Sequence, residues 1–182
     1  DLKNLISPKT TLGEVLNTVK PSIIRKVIKI FGKSSNETLS IAVLPSNIID
    51  VIDDLKPDVV NLHWIGNEII SLKNISKINC PLVWTLLDMW PFLGTEHYSS
   101  NERYIEGYSK KNRNQNEKGF DLNQWNWNRK LKYLKKKFTV VSPSDWLLEK
   151  ANKSYLFKNK DNIKINYPLN INEWKPIDKE YA

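Results

Sequence analysis

A chain of 182 residues, 40% apolar and 26% charged, is long enough to bury a core and excludes a disordered or fibrous class. Its single cysteine, Cys80, excludes an internal disulfide framework or a multi-cysteine zinc site and reads as a small core filler. No apolar run reaches the roughly 18 residues of a membrane span. The formal charge of +8 is uneven: residues 1–100 carry ten basic and ten acidic side chains, and residues 101–182 carry eighteen and ten. That asymmetry suggests an anionic partner (nucleic acid, a phosphorylated substrate or an acidic membrane face) or else a solvated basic helix. No signal-peptide pattern opens the chain, so a cytoplasmic setting is the expectation.

Thr11 and Glu14 have the spacing of a capping box, which predicts a helix through about Val19 with Leu12, Val15 and Leu16 on one face. Pro21 is expected to open a second helix, whose stripe of Ile23, Ile24, Val27, Ile28 and Phe31 ends at Gly32. Lys26, Lys29 and Lys33 line its other side, a pattern of core packing or of a membrane-surface helix. Leu39–Leu44 reads as a strand, Ile48–Leu55 as a helix and Pro57–Trp64 as a buried strand with His63 and Trp64 at its carboxyl end. A short helix over Glu68–Leu72 leads to Leu82–Leu87, an apolar run bracketed by Pro81 and Pro91 that suits a buried strand.

The polar segment Ser99–Phe120 reads as an exposed excursion open to disorder. Leu122–Phe138 is predicted helical, Phe138–Ser142 a strand, and Ser144 or Asp145 the cap of a helix with Trp146, Leu147 and Leu148 inward. Asn162–Ile165 is a last strand, and Pro168 and Pro176 mark a linker-like tail. This alternation predicts an α/β fold, a Rossmann-like parallel sheet flanked by helices.

In open α/β sheets ligands bind past the carboxyl ends of the strands. The stretch after Leu87 concentrates Asp88, Trp90, Phe92, His97 and Tyr98 around Pro91 and Gly94 at such a position. The ionisable pair makes it a candidate ligand site rather than a hydrophobic seal.

Several separated motifs then occur in one order: Asn61–Ile65 (NLHWI), Val83–Phe92 (VWTLLDMWPF), His97-Tyr98, Val141–Leu147 (VSPSDWL) and Tyr167–Pro176 (YPLNINEWKP). Over roughly residues 40–182 the chain resembles the amino-terminal half of family-four glycosyltransferases of the GT-B fold, especially those building capsular, colanic-acid-like or lipopolysaccharide sugars. The resemblance implies an acceptor-side domain over residues 1–166 and, from 167, the start of a linker to a donor-binding domain outside this chain. It also implies that a first strand and its glycine-rich turn precede Asp1, and that the fragment alone is inactive. The activity implied for the whole protein is retaining transfer of a sugar from a UDP- or GDP-sugar to a glycan or lipid-linked acceptor, with peripheral contact at the inner membrane face. No cofactor or metal is expected within the fragment.

On that resemblance Asp88 and His97 are the expected catalytic polar groups, and His63, Trp64, Trp90, Tyr98, Arg103 and Lys130 the expected acceptor contacts. Each has an ordinary alternative. His63 can be a core histidine, Asp88 a turn cap, Trp64, Trp84 and Trp146 core, and Arg103, Lys130 and Lys132–Lys137 solvated charge. Leu87 stands where the family's active-site histidine is expected, so that role is lost or passes to Asp88 or His97. Glu96 and Tyr108 replace cysteines often present in the family, so metal or disulfide bracing of the loop is absent. Two competing readings are a catalytically degenerate, glycan-binding homologue and, ranked lower, a basic nucleic-acid-binding module; no recognisable nucleic-acid-binding motif supports the latter.

Overall fold

Short runs rich in β-branched and aromatic residues, separated by helix-length segments, can pair only through crossovers, and parallel pairing is the outcome. The computed structural model describes residues 11–30, 38–174 and 176, with the side chains of 11–18 and 29–30 outside the description. In chain order the elements are α1 (Thr11–Ile30), α2 (Ile48–Leu55), β1 (Val60–Leu62), α3 (Leu72–Lys77), β2 (Leu82–Thr85), α4 (Arg103–Glu106), α5 (Leu122–Tyr133), β3 (Thr139–Ser142), α6 (Asp145–Lys153) and β4 (Asp161–Lys164). The strands lie side by side in sequence order, every neighbour parallel. The chain is thus an α/β protein with a four-stranded parallel sheet flanked by helices, compatible with a Rossmann-like fold.

Trp84 sits in β2 opposite Leu62 of β1 and Val140 of β3 and is 1% exposed. Its ring meets Trp90, Phe138 and Phe157 at centroid distances of 6.4, 6.0 and 6.2 Å. Each such ring removes roughly 150–250 Å² from water, so this cluster is the main apolar anchor of the sheet. Cys80 packs half-buried against the same core.

Several elements depart from expectation for physical reasons. Pro21 does not divide the first helix; α1 runs through it. Burial of Ile24 and Ile28 against Ile41 and Leu122 offsets the missing N–H, and Arg25 Nε donates to the Pro21 carbonyl. The side chains of the Thr11–Glu14 capping box and of Leu12, Val15, Leu16 and Lys29 lie outside the described residues, as do Phe31, Gly32 and Lys33.

Leu39–Leu44 is not a strand. It makes one antiparallel bridge, Leu39 to Glu96, and turns at Ala42, whose φ is +51°. The N–H groups of Ala42, Val43 and Leu44 donate instead to the buried Glu68 carboxylate, each at 2.7 Å. Glu68 itself has φ +63°, so the helix expected there starts only at Leu72, capped by Ser71, whose Oγ accepts the Asn74 N–H. Trp146 points outward from α6, whereas Leu147 is buried. The helix expected over Leu122–Phe138 stops at Tyr133, where Lys160 Nζ donates to the carbonyls of Leu134 and Lys136.

The Ser99–Phe120 excursion is packed at its base. Tyr104 and Tyr108 are buried, and Arg103 Nη2 donates to Asp121 at 2.6 Å and to the Ser109 carbonyl. Asp121 also caps α5 by accepting the Gln124 N–H. One carboxylate therefore ties the excursion to the helix that follows.

Burial pushes the Asp121 carboxyl upward in pKa, but the Arg103 hydrogen bond, the Gln124 N–H and the Arg103 and Arg113 charges outweigh it and hold it below its ordinary value. A depressed folded pKa contributes stability above the ordinary carboxylate range of about 3.9, lost as pH falls through the folded value. Asp121→Asn is expected to lower stability at neutral pH by about 3–5 kcal/mol because Arg103 stays buried without its counter-charge. Urea titrations should show the gap between the two proteins narrowing on acidification; a pH-independent gap would refute the pairing.

Candidate functional site

Beyond Thr85 the chain leaves the sheet as Leu86, whose N–H donates to the Val141 carbonyl, and then folds into a tight loop through Tyr98. Asp88 Oδ1 accepts the Trp90 N–H at 2.9 Å, which starts a 3-10 turn over Trp90–Phe92. Under this loop lies Lys130 from α5, wholly buried, with Nζ donating to the carbonyls of Trp90, Leu93 (3.0 Å) and Gly94 (2.8 Å). Nζ also lies 3.8 Å from the Trp90 ring centroid. Three converging carbonyls match the three donors of an ammonium group. Burial, with the Arg129 charge added, holds the Lys130 pKa well below its ordinary value although the Glu96 and Asp88 carboxylates oppose that push.

The loop approaches α5 so closely that a Cβ on Gly94 would lie 2.6 Å from Asn123 Cβ and 2.7 Å from its Cα. Asn126 Nδ2 seals the contact by donating to the Gly94 carbonyl at 2.8 Å. Sequence position alone thus places Asp88 and His97 nine residues apart, and the clamp from α5 brings them together.

His97 Nδ1 lies 2.5 Å from Asp88 Oδ2, and its Nε2 lies 2.9 Å from Ser40 Oγ. A carboxylate only accepts, so Nδ1 carries a proton, and in the neutral ring Nε2 accepts from the Ser40 hydroxyl. Trp90 stacks behind the imidazole (centroids 6.2 Å, 23° between planes) and donates Nε1–H to the Ser40 carbonyl; Trp64 lies on another side at 6.0 Å. Order and spacing resemble a serine–histidine–aspartate relay, but Ser40 is 1% exposed and cannot meet a substrate. Here the serine positions the ring and is not a nucleophile.

A cavity of about 530 Å³ opens over this group, lined by Trp64, Leu87, Asp88, Glu96, His97 and Tyr98, with Thr38 at its edge. A more polar cavity of about 640 Å³, shared at Glu96 and Tyr98, continues past Trp146, Ser99–Glu102 and Lys150. Glu96 is braced by the Tyr108 hydroxyl, which donates at 2.6 Å, and by the Thr95 N–H. Burial, then the Glu96 charge, raises the Tyr108 pKa, which keeps the phenol a donor. The site therefore offers fixed negative charge, an oriented imidazole and exposed aromatic faces. Among the described residues no group of His, Cys, Asp and Glu could hold a metal ion, and no helix is long and apolar enough to cross a membrane.

Asp88, His97, Trp64 and Tyr98 are thus brought to one cavity, and Leu87 stands at its lip, 43% exposed. Asp88 also fills the turn-capping role that was its alternative. Three expected acceptor contacts are corrected. Trp90 is 2% exposed and backs the imidazole, Arg103 is buried against Asp121, and Lys130 is consumed by the loop carbonyls, so none can reach a ligand in this structure. His63 is exposed but does not line the cavity, so it is not the core residue that was its alternative, and it stands apart from the expected acceptor contacts at Trp64 and Tyr98.

Sequence reasoning missed Ser40 and Asn126, because nothing local marks a serine that meets a histidine 57 residues away. Glu68 carried a signal: a lone carboxylate before Ile69 and Ile70 must find donors if buried. Comparisons with family models, with curated proteins and with solved structures returned no match.

Lys130→Met is expected to destabilise the fold by about 2–4 kcal/mol, since the Leu93 carbonyl loses the ammonium and those of Trp90 and Gly94 are left with the Leu93 N–H and Asn126 Nδ2. Lys130→Arg should not rescue it, because a planar guanidinium cannot meet three carbonyls converging on one point; full recovery in denaturant unfolding would refute the clamp. Asp88→Asn should weaken the preference for a proton on Nδ1 of His97. Nitrogen-15 spectra of the imidazole would then show a larger share of the Nε2–H tautomer, and an unchanged pattern would contradict the relay.

Proposed function

We propose that this chain is the acceptor-binding half of a retaining, nucleotide-sugar-dependent glycosyltransferase acting in surface polysaccharide assembly. The carrying observation is the Asp88–His97 pair at the carboxyl-end rim of a parallel sheet, opening into one cavity with Trp64 and Tyr98. The motif order of the sequence supports the same reading and extends it to a second, donor-binding domain.

Transfer passes through a sugar with developing positive charge, so positioned negative charge is worth more than a strong base. Asp88 supplies that charge, oriented by the Trp90 N–H and by His97. Its carboxylate retains acceptor capacity for an incoming hydroxyl, while both ring nitrogens of His97 are already engaged. His97 consequently positions Asp88. Trp64 and Tyr98, 37% and 62% exposed, offer apolar faces to the acceptor sugar. A lipid-linked acceptor would place the enzyme at the inner membrane face, with a UDP- or GDP-sugar as donor.

A second reading, a homologue that binds glycan without turnover, is favoured by one observation: Leu87, with neither charge nor donor, occupies the lip beside Asp88. The whole protein should be assayed for transfer with labelled UDP- and GDP-sugars. Under the proposal Asp88→Asn lowers kcat by about 10²–10⁴-fold in protein that circular dichroism shows to be folded at the assay temperature. Absence of transfer from every donor would defeat it and leave the second reading. A gain on Leu87→His would identify an impaired site; no change would leave the role with Asp88.

A further inference from the structure

Away from this rim, the end of the excursion and the start of α5 enclose another cavity, of about 610 Å³, that shares no lining residue with the Asp88–His97 cavity. Its walls include Phe120, Trp125, Gln124, Asn128 and Arg113. Phe120 and Trp125 are 47% and 37% exposed, and their rings meet at 6.4 Å and 59°, forming a corner. Burial would normally claim such rings, and here they flank a concavity of the size small-molecule sites have, about 300–1,000 Å³.

The corner is rigid. Arg129 lies 4.8 Å from the Trp125 ring centroid and is itself held by the carbonyls of Ile41 and Ala42. The opposite wall is fixed by Arg113, which donates to the carbonyls of Gly119 (2.8 Å) and Lys118 (3.2 Å).

Charge then selects the ligand class. The cavity is lined by Lys110, Arg113 and Asp121, and Arg113 is flanked by Glu117 and Asp121 at 3.6 Å each. Arg113 already spends its guanidinium on these carboxylates and on the Gly119 and Lys118 carbonyls, so of the two lining cations Lys110 alone is left to meet a phosphate. An anionic nucleotide or nucleic acid would gain little here despite the basic composition of this half of the chain. A neutral ring with one apolar face and a polar edge fits better: its C–H groups meet the negative face of the indole, and its hydroxyls meet the side-chain amides of Gln124 and Asn128.

We infer that the Phe120–Trp125 corner is a second saccharide-binding site, taking a neutral hexopyranose unit by stacking, distinct from the rim cavity. The inference stands on this cavity alone and does not require the chain to take part in glycosyl transfer.

The test is nitrogen-15 NMR of the whole chain, in which each tryptophan gives its own indole signal, with maltose, cellobiose and lactose as probes and a single-stranded oligothymidylate as the anionic control. At least one disaccharide should shift the Trp125 indole signal, and Trp125→Ala should weaken binding about tenfold, the loss expected for one stacked aromatic. Phe120→Ser is the second variant and should weaken it in the same direction. A Trp125 signal unmoved by all three sugars at tens of millimolar overturns the inference. So does a response to oligothymidylate alone, or sugar binding that survives both substitutions. Failure of the transfer assay above would not touch these outcomes.

Discussion

The rim loop owes its shape to one buried ammonium. Lys130 reaches from α5 beneath the loop and collects the carbonyls of Trp90, Leu93 and Gly94, where the Leu93 N–H and Asn126 Nδ2 supply a second donor to the first and the last. Remove that donor and nothing nearby replaces it: Asn126 already serves Gly94, and α5 approaches too closely to admit water beside Gly94. With the loop closed, Asp88 and His97 come within 2.5 Å of each other, and Trp90 is pinned between its cation and the imidazole. The arrangement of the cavity floor therefore depends on a residue that never touches the cavity.

The same solution recurs elsewhere in the fold. Glu68 satisfies three consecutive amides of residues 42–44, Asp121 serves both Arg103 and the first turn of α5, and Lys160 closes the carboxyl end of that helix. Each charged group is buried or half-buried and saturated with backbone or ionic partners, the condition under which charge is tolerated inside a protein. The lysine-rich character of the second half is thus partly architectural, since Lys130, Lys136 and Lys160 all end on main-chain carbonyls.

These uses of charge mark the limit of what the sequence discloses. Apolar runs and their spacing were sufficient to locate β1 through β4, α2 and α6, and to put Asp88 and His97 at the end of β2, because periodicity and punctuation are local properties. The segment 39–44 misled, since its apolar content is that of a strand while its amides are satisfied by a side chain from residue 68. Pro21 misled because a helix held by tertiary burial can absorb a missing N–H. Arg103 and Lys130 look like ligand-binding cations in one dimension, and only the packed fold reveals that their partners are already present. Conversely, Trp146 reads as an inward-facing residue of α6 in one dimension and is exposed in the fold.

Ser40 has a further implication, for the order in which the molecule assembles. Its N–H donates to the Thr95 carbonyl, its carbonyl serves Trp90 and Asn126, and its hydroxyl meets His97, so each of these contacts spans fifty residues of chain or more. None can form until the loop and α5 are in place, and each closure costs entropy that only the finished neighbourhood returns. Docking of this segment therefore waits on the loop and α5, and an oriented imidazole is a property of the assembled molecule rather than of any local stretch of chain.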